Sequence, residues 1–270
     1  MTTLILSMAL TLAPPGPELK TDQATPANSD GWNLLFNGKN LDGWYTFLQK
    51  HGKNKDPEGV ITIEDGAIHL YKNAPDGATV VMGYIGTEKE YGDYHLRFKY
   101  RWGTKKFEPR YKMKRDAGLY YHILGDDAVW PRALQFQVEQ TNVGDLIALY
   151  GFQVDSWVDP KTKDQPMPTF LEPEQGGIPR VLGGKGIAYQ KHLAGEHELD
   201  GWNTAEIIAK ADTVTHVLNG KVINRAKNVR VVSADAKEGA KTTRGRIALE
   251  IEAAEIYFRD VEIKSLAGER

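Results

Sequence analysis

The sequence predicts an all-β protein, built as a sandwich or jelly roll of antiparallel sheets. Several segments alternate strictly between apolar and polar residues, and turn signals with Gly, Asn or Asp separate them. No helical period extends over about 11 residues beyond the N-terminus. Many short strands joined by glycine turns are typical of such folds. The 270 residues suffice for one large all-β domain or two small domains.

The first 30 residues predict an export signal followed by a flexible tether. Residues 4–13 form an apolar run of signal length, and residues 14–30 are rich in Pro, Thr, Ala and Asp. No Lys or Arg precedes the run, and two prolines follow it, so a short buried helix is the alternative. We expect residues 31–270 to form a single domain. We also expect the protein to be periplasmic or extracellular.

Alternation and turn signals identify individual strands. Segment 94–102 alternates aromatic or apolar residues with basic residues or His, and segment 247–252 alternates in the same way with Ala and Glu. Asp65-Gly66 and Asn219-Gly220 predict tight hairpin turns, because both pairs tolerate positive φ. A change of phase near residues 259–260 predicts a β-bulge.

Two loops are predicted to be long. Residues 160–186 have Pro, Gly and charge but little periodicity, and at that length a loop is functional or mobile. Segment 105–115 is mostly basic, which is typical of a solvated loop. Its aromatic residues, Phe107 and Tyr111, could instead help to cover a ligand.

Composition excludes several classes of function. The net charge of −2 provides no field for nucleic acid or an anionic membrane. The chain has no Cys, so it has no disulfide, thiolate metal site or Cys nucleophile. Beyond the N-terminus, no apolar run approaches the ~20 residues of a membrane helix. We therefore expect neither a nucleic-acid partner nor a membrane-spanning segment.

Segment 133–139 (ALQFQVE) predicts a strand with one apolar face and one face of hydrogen-bonding groups. Gln135, Gln137 and Glu139 share the polar face. Two amides and a carboxylate suit a neutral polyhydroxylated ligand. The preceding strand is expected to place Tyr120 and His122 together on one face. The alternative is a polar row that simply faces solvent.

These segments, in their order and spacing, resemble the 3-keto-disaccharide hydrolase family, formerly a domain of unknown function. The segments that carry the resemblance are GWNLLFNGKNLDGW (31–44), DPEGVITIEDGAIHL (56–70), YGDYHLRFKYRWG (91–103), RDAGLYYHILG (115–125), ALQFQVEQTNVGDL (133–146), GWNTAEIIAKADTVTHVLNGKVINRA (201–226) and AEIYFRDVEIKSL (254–266). The resemblance implies a concanavalin-like, laminarinase-like jelly roll with a sugar on its concave face. It also implies secretion.

The resemblance further implies an oligosaccharide or glycoside substrate, oxidised to a ketone at ring carbon 3 by a separate upstream sugar dehydrogenase. Such a ketone acidifies the proton on carbon 2. A base can remove that proton, the aglycone leaves from carbon 1 with help from an acid, and water then adds to the double bond. The net reaction is hydrolysis, without the paired-carboxylate geometry of ordinary glycosidases.

Candidate residues for this chemistry come from the polar rows. The catalytic candidates are Glu139, His122 and Glu250, and the substrate-binding candidates are Gln135, Gln137, Tyr120, Arg115 and Trp130. The family often has an acidic residue where this chain has Gln135, so Glu139 and His122 are the preferred acid–base pair. Arg115 or a bound divalent cation could stabilise the enolate.

Each candidate also has a structural interpretation. His122 could be a neutral, hydrogen-bonded strand histidine, Trp130 could belong to the core, and Glu250 and Glu252 could face solvent. His216 is expected to be structural. His192 and His197, along with the Asp pairs at 126–127 and 155/159, lack zinc or calcium spacing, so no metal ligands are assigned. A non-catalytic carbohydrate-binding module and a structural or adhesive surface domain remain alternatives to an enzyme.

Overall fold

The computed structural model of the protein describes residues 30–232 and 239–267. Within these ranges the chain forms twenty β-strands and one 3₁₀-helix of three residues, Pro173–Gln175. In chain order the strands are β1 Asn33–Leu34, β2 Trp44–Leu48, β3 Gly52–Lys53, β4 Ile61–Glu64, β5 Ala67–Leu70, β6 Gly83–Thr87, β7 Tyr91–Gly92, β8 Tyr94–Lys106, β9 Asp116–Leu124, β10 Arg132–Glu139, β11 Leu146–Leu149, β12 Phe152–Val158, β13 Ile178–Gly183, β14 Ile187–Gln190, β15 Asn203–Lys210, β16 Thr213–Leu218, β17 Lys221–Val231, β18 Ala240–Lys241, β19 Arg244–Ile251 and β20 Ala254–Ser265.

The strands form two antiparallel sheets. The eleven-stranded back sheet has the order β13-β12-β17-β16-β15-β8-β20-β5-β4, with β1 paired to β20 and β18 paired to β17. The nine-stranded front sheet has the order β14-β11-β10-β9-β19-β6-β2-β3, with β7 paired to β19. This is the predicted all-β jelly-roll sandwich. Its strand order required the structure, because alternation does not specify strand neighbours.

The main hydrophobic core lies between the two sheets. Leu134, Phe136 and Val138 of β10 are buried in it, as the alternation of segment 133–139 predicted. The Phe136 ring packs edge-on against Phe98 of β8 with 6.1 Å between ring centroids, and Phe98 lies 6.2 Å from Phe258 of β20. Because β10 turns its apolar face inward, its Gln residues face outward from the front sheet.

The predicted turns and bulge are confirmed by backbone geometry. Asp65 and Gly66 have φ values of 49° and 74° and connect β4 to β5. Asn219 and Gly220, at 50° and 79°, connect β16 to β17. Asp260 has a φ of 50°, and the pairing of β20 with β8 shifts register between residues 259 and 262. The residues with positive φ are therefore those that the Asp-Gly and Asn-Gly pairs and the change of phase predicted.

Residues 160–186 differ from the predicted uninterrupted loop. They contain the 3₁₀-helix and strand β13, which pairs with β12 over six residues from Gln153↔Gly183 to Val158↔Ile178. β13 is the edge strand of its sheet, where Pro179 can replace a ladder donor. The edge position leaves most of β13 only partly buried, so its sequence lacks the apolar alternation that would reveal it.

The predicted signal and tether fall almost entirely outside the described residues, which begin at residue 30. They remain predictions. Over the two described ranges, no helix has both the length and the apolar character needed to cross a membrane.

Candidate active site

The outward face of the front sheet carries a row of carboxylates across three neighbouring strands. In the strand register, Asp116 of β9 lies opposite Glu139 of β10 on one side and opposite Glu252, just after β19, on the other. Residues directly opposite each other in antiparallel strands share a face. Three acidic side chains are therefore neighbours on one surface, and Glu250 lies two residues from Glu252 on the same face.

Glu250 lies at the centre of a hydrogen-bond network and is only 1 % exposed. The Tyr120 hydroxyl donates to its Oε1, and Gln135 Nε2 donates to its Oε2 at 2.7 Å. Gln135 Nε2 also donates to Gln137 Oε1 at 2.7 Å, while Gln137 Nε2 donates to Asp116 Oδ1 at 2.9 Å. The two amides thus connect Glu250 to Asp116.

Gly118 makes the contact between β10 and β19 possible. A Cβ atom at this position would lie 2.5 Å from both Gln135 Nε2 and Glu250 Oε2. That separation is far below van der Waals contact, so any side chain would push the amide and the carboxylate apart. The absence of a side chain on β9 therefore lets its two neighbouring strands share a hydrogen bond above it.

Arg110 supplies the positive charge of this cluster. Its Nη1 lies 2.8 Å from Glu252 Oε1, and its Nη2 donates to Asp116 Oδ2. Trp130 also interacts with Glu252 and favours its ionised form. Arg110 belongs to the basic segment 105–115, so this segment contacts the acidic cluster through the Arg110 guanidinium. Its aromatic residues do not line the cluster: Phe107 is buried against Tyr71 in the core, and the Tyr111 hydroxyl donates to Asp76 at 3.0 Å.

Burial, together with repulsion from neighbouring acids, raises the pKa values of all three inner carboxyl groups. Burial raises the pKa of Glu250 well above its ordinary value, and the charge of Glu252 raises it further. Burial and the charge of Glu252 likewise raise the pKa of Asp116, against the opposing effect of Arg110. Burial also raises the pKa of Glu252, but a hydrogen bond from Glu250 and the charge of Arg110 both oppose the rise.

These opposing effects separate the roles of the two glutamates. Three buried carboxylates against one guanidinium would leave an uncompensated negative charge, which is costly in a low dielectric. The cluster therefore retains a proton near neutral pH. Between the two glutamates, Glu250 is the hydrogen-bond donor and the group more readily protonated, while Arg110 favours the ionised form of Glu252.

The cluster opens into a cavity of about 230 Å³. Its lining combines the acidic cluster and its two Gln residues with apolar and aromatic side chains from β11, β14 and the loops beside them. Ligand pockets generally range from about 300 to 1,000 Å³, so this cavity suits one ring of a larger ligand.

A larger cavity of about 520 Å³ lies elsewhere, next to Trp102 and Arg115. Two of its polar side chains, Glu198 and His192, already have protein partners. Glu198 accepts hydrogen bonds from Tyr100 and from Trp102, and His192 Nδ1 lies 2.7 Å from Asp145. We take the smaller cavity as the candidate active site, because of these two cavities it is the one lined by several buried acids around one cation.

The structure brings together most of the residues that the sequence nominated. Around this cavity lie Glu250, Gln135, Gln137, Tyr120 and Trp130. Glu139 stands at the edge of the cluster: it is half-buried, accepts a hydrogen bond from Asn142, and its charge acts on Asp116 and Glu252. A solvent-facing position for Glu250 and Glu252 is excluded, since Glu252 is only 5 % exposed.

His122 does not join the cluster, and the expectation that it shares a face with Tyr120 is wrong. Its φ of 55° and a register shift between β9 and β19 interrupt the alternation. The ring turns inward, 5.3 Å from the Tyr121 ring and 6.0 Å from the Tyr94 ring. It is 2 % exposed, and burial lowers its pKa to about 4. This placement matches a buried neutral histidine and not an acid–base role, but its Nδ1 has no hydrogen-bond partner among the described residues, so the expected hydrogen bond is not found.

Arg115 also lies away from the carboxylates. It donates to the Gly103 carbonyl at 2.7 Å and lies over the Trp102 ring in the larger cavity. Arg110 takes the position near the acids that the sequence had suggested for Arg115.

Sequence reasoning missed Asp116, Glu252 and Arg110 as functional residues. A signal for Glu252 existed, because it alternates with Glu250 in segment 247–252. Asp116 begins the strand that contains Tyr120, two periods earlier on the same face. No local pattern identifies Arg110, because a loop guanidinium reaches the acids only through tertiary structure.

The histidines outside the cluster are held by structural contacts. His216 Nε2 lies 2.9 Å from the Tyr121 hydroxyl, and burial lowers its pKa to about 4, as expected of a structural residue. Across the described ranges, no group of three or more His, Asp or Glu side chains is arranged to hold a metal ion. Because Arg110 already bridges Asp116 and Glu252, the acid cluster is a poor fit for a cation. The divalent cation remains a prediction.

Comparison with known proteins identifies the family. The sequence profile of the 3-keto-alpha-glucoside-1,2-lyase-like domain matches residues 31–264, so the chain belongs to this family. Membership indicates a carbohydrate-active function. No curated protein matches the chain.

Two solved structures from Parabacteroides distasonis ATCC 8503, both candidate glycosyl hydrolases, share the fold. The first has a TM-score of 0.53 at 21% identity and covers 92% of this chain and 98% of its own. The second has a TM-score of 0.51 at 17% identity and covers 87% of this chain and 99% of its own. At such identities the likeness concerns the fold alone.

Proposed function

We propose that this protein cleaves the glycosidic bond of 3-keto-glycosides, including 3-keto-disaccharides, by elimination followed by hydration. The observation that carries the proposal is the buried cluster of Asp116, Glu250 and Glu252 around a single guanidinium. Perturbed carboxyl groups lining a cavity are typical of catalytic sites. The family to which the chain belongs is described by a 1,2-lyase activity on 3-keto-glucosides, which is consistent with elimination between carbons 1 and 2.

The first step removes the proton on carbon 2. Glu252 is the proposed base, since Arg110 at 2.8 Å favours its ionised form. The electron pair from the C–H bond moves into an enolate whose charge rests on the oxygen at carbon 3. Arg110 and the second N–H of the Gln137 amide can stabilise that charge by hydrogen bonding.

The second step expels the aglycone from carbon 1. The enolate collapses to a double bond between carbons 1 and 2, and the bond to the glycosidic oxygen breaks. Glu250 is the proposed acid that gives this oxygen its proton, because burial and the charge of Glu252 raise the pKa of Glu250. Water then adds its hydroxyl to carbon 1 and a proton to carbon 2, so the net reaction is hydrolysis.

The position of Glu250 compensates for the Gln that this chain has at position 135, where the family often has an acidic residue. The resemblance implied an acidic residue at that position of β10, where this chain has Gln. Here Glu250 lies one strand beyond β9, with Oε2 2.7 Å from Gln135 Nε2. The carboxylate is therefore available at the same point of the sheet. Glu139, at the edge, is proposed to tune the cluster through its charge and not to transfer the proton itself.

The main alternative is a carbohydrate-binding module without catalysis. Its amides and carboxylates would suit sugar hydroxyls equally well. It does not explain why three buried acids share one cation, because that arrangement costs stability and is unnecessary for binding a neutral sugar.

Incubation with 3-keto-trehalose and with unmodified trehalose tests the proposal. We expect 3-keto-glucose to be released from the keto sugar only. Cleavage of both sugars would indicate an ordinary glycosidase. Saturable binding without cleavage of either would favour the binding module, and neither binding nor cleavage would favour a structural or adhesive domain.

We further propose that the protein acts in the periplasm or outside the cell, downstream of a dehydrogenase that oxidises the sugar at carbon 3. The proposal rests on the substrate chemistry and on the N-terminal sequence. Detection of the protein in periplasmic and medium fractions, with loss of export on deletion of residues 1–30, would support it.

A further inference from the structure

The mouth of the active-site cavity is unusually apolar. Within the described part of the chain, eight large hydrophobic side chains are exposed, and three of them line this one cavity. These are Trp130, Tyr150 and Ile187, with exposures of 39%, 40% and 38%. Exposed apolar groups gathered at one place commonly mark a binding surface.

The apolar surface continues down one side of the cavity on β11 and β14. Leu149 pairs with Ile187, and Ile147 pairs with Tyr189, so four apolar or aromatic side chains form two cross-strand pairs. Ile147 and Leu149 are buried with the aromatic residues of the front sheet, and Tyr189 packs against them. No charged side chain of these two strands lines the cavity.

The outward face of the front sheet is therefore divided into two halves. On β9, β10 and the end of β19 it presents carboxylates and amides, and on β11 and β14 it presents the aliphatic side chains of Ile147, Leu149 and Ile187 beside the Tyr189 ring. A ligand that spans the cavity must be polar at one end and apolar at the other. A second sugar would leave hydroxyl groups against Ile147, Leu149 and Ile187, whose side chains offer no hydrogen-bond partner.

We propose that β11, β14 and the cavity mouth form an aglycone subsite that selects 3-keto-glycosides with an apolar alkyl or aryl leaving group over those with a second sugar. The proposal relies on the proposed function for the identity of the sugar and of the reaction. It assigns Ile187, Tyr150 and Leu149 to specificity, and it leaves proton transfer to Glu250 and Glu252.

A matched substrate series tests the subsite. Methyl and cyclohexyl 3-keto-glucosides have alkoxide leaving groups of similar kind, so differences in kcat/KM report mainly on aglycone contacts. We expect the cyclohexyl compound to exceed the methyl compound by about tenfold or more, and to exceed 3-keto-trehalose. Equal values for the two alkyl compounds, or a preference for the disaccharide, would overturn the subsite and leave the proposed reaction standing.

Two variants test whether the preference for the cyclohexyl compound comes from Ile187. Ile187→Ser should remove most of the advantage of the cyclohexyl compound and leave the methyl compound nearly unchanged. The matched control is Val181→Ser, which changes an aliphatic side chain that is 57 % exposed on β13 of the back sheet, and it should alter neither value. An equal effect of both variants would contradict the assignment of Ile187.

Binding to the Glu250→Gln protein separates the subsite from the reaction. Quenching of tryptophan fluorescence, to which Trp130 at the mouth contributes, gives affinities without turnover. Tighter binding of the cyclohexyl compound supports the subsite even if wild-type protein cleaves no keto-glycoside, in which case only the proposed reaction falls. Equal binding of the methyl and cyclohexyl compounds overturns the subsite.

Discussion

Two buried glutamates close together in the chain, Glu250 and Glu255, have opposite electrostatic environments. Glu255 of the back sheet has Oε1 2.9 Å from His69 Nε2, and its Oε2 accepts from the backbone N–H groups of Thr104 and Lys105 at 2.8 and 3.1 Å. Burial would raise its pKa, but these partners lower it overall. Glu250 of the front sheet is also buried, yet it faces other acids and its pKa is raised.

The comparison shows that burial alone does not determine the behaviour of a carboxyl group. Glu255 has a set of donors that satisfies its charge, which is typical of a structural residue. Glu250 and its neighbours share one guanidinium among several acids. Such an arrangement lowers stability and is expected where function requires a proton to be held and released.

Replacing each of the two glutamates by Gln gives the largest contrast. Glu250→Gln should lower kcat on 3-keto-trehalose by about 10²–10⁴-fold, because the acid is lost while the shape is kept. Glu255→Gln, the matched control, should lower the melting temperature through its lost ionic hydrogen bonds but leave kcat per folded molecule nearly unchanged. The measurement is initial rate, normalised to the folded fraction determined by circular dichroism.

Similar activity losses in both folded variants would contradict the distinction between the two sheets. Retention of activity in Glu250→Gln would exclude Glu250 as the acid. Glu252→Gln would then be the next variant, since the two glutamates share a proton.

Removing the Arg110 guanidinium should leave the negative charge of the acidic cluster without its positive partner. Arg110→Gln takes away the contacts with Asp116 and Glu252, so the pKa of Glu252 should rise further. The base would then be ionised only at higher pH. We expect the acidic limb of the pH–rate profile to move upward and kcat/KM at neutral pH to fall about tenfold or more.

An unchanged acidic limb in Arg110→Gln would show that Glu252 is not the group that must ionise. Arg115→Gln is the matched control, because Arg115 is a guanidinium in the other cavity. It should leave the pH–rate profile in place.

The pH dependence of stability should differ in sign between the two regions. The pKa of Glu250 is higher in the folded protein than its unfolded value of about 4.5. Glu250 therefore contributes its full stabilisation of the fold below pH 4.5, and this contribution is lost as the pH rises through the folded pKa. Glu255 has a lowered folded pKa, so its contribution is present above about 4.5 and is lost as pH falls. Glu250→Gln should therefore flatten the alkaline decline in stability, and Glu255→Gln should flatten the acid decline. Urea unfolding over a pH series measures both slopes, and equal slopes in the two variants would refute the assignment.

The smallest effect on catalysis is expected at His122. His122→Asn keeps a residue that tolerates the left-handed backbone at φ 55°. Because His122 lies between the sheets, kcat per folded molecule should change only by a small factor, while stability falls. The wild-type contribution of this neutral His should be lost as pH falls from 6.5 through about 4, since burial lowers its pKa. A large loss of kcat in the folded variant would restore His122 as an acid–base candidate.

Much of the fold was predictable from the sequence, because alternation and turns are local properties. Leu134, Phe136 and Val138 face the core as predicted, and Asn219-Gly220 forms the hairpin turn. β13 was not predictable, because an edge strand with a proline lacks an apolar stripe. The order of strands was equally out of reach, since pairing between distant segments depends on tertiary contacts.

The parts of the candidate site that depend on alternation within one strand were predictable. The parts that depend on which strands are neighbours were not. Gln135 and Gln137 share the polar face as expected, and Glu250 reaches them across Gly118. The left-handed backbone of His122 overrode the alternation of β9. Arg110 was not predicted, because it lies in a basic segment whose composition is typical of a solvent-exposed loop.

The central claim is that this acidic cluster cleaves 3-keto-glycosides by removing the proton on carbon 2. The direct test is to cleave 3-keto-trehalose in D₂O and determine deuterium at carbon 2 of the released 3-keto-glucose by NMR, beside authentic 3-keto-glucose kept in the same buffer. Elimination and hydration predict about one deuterium at carbon 2 per cleavage, above the spontaneous exchange of the reference. Cleavage that leaves hydrogen at carbon 2 would contradict the account.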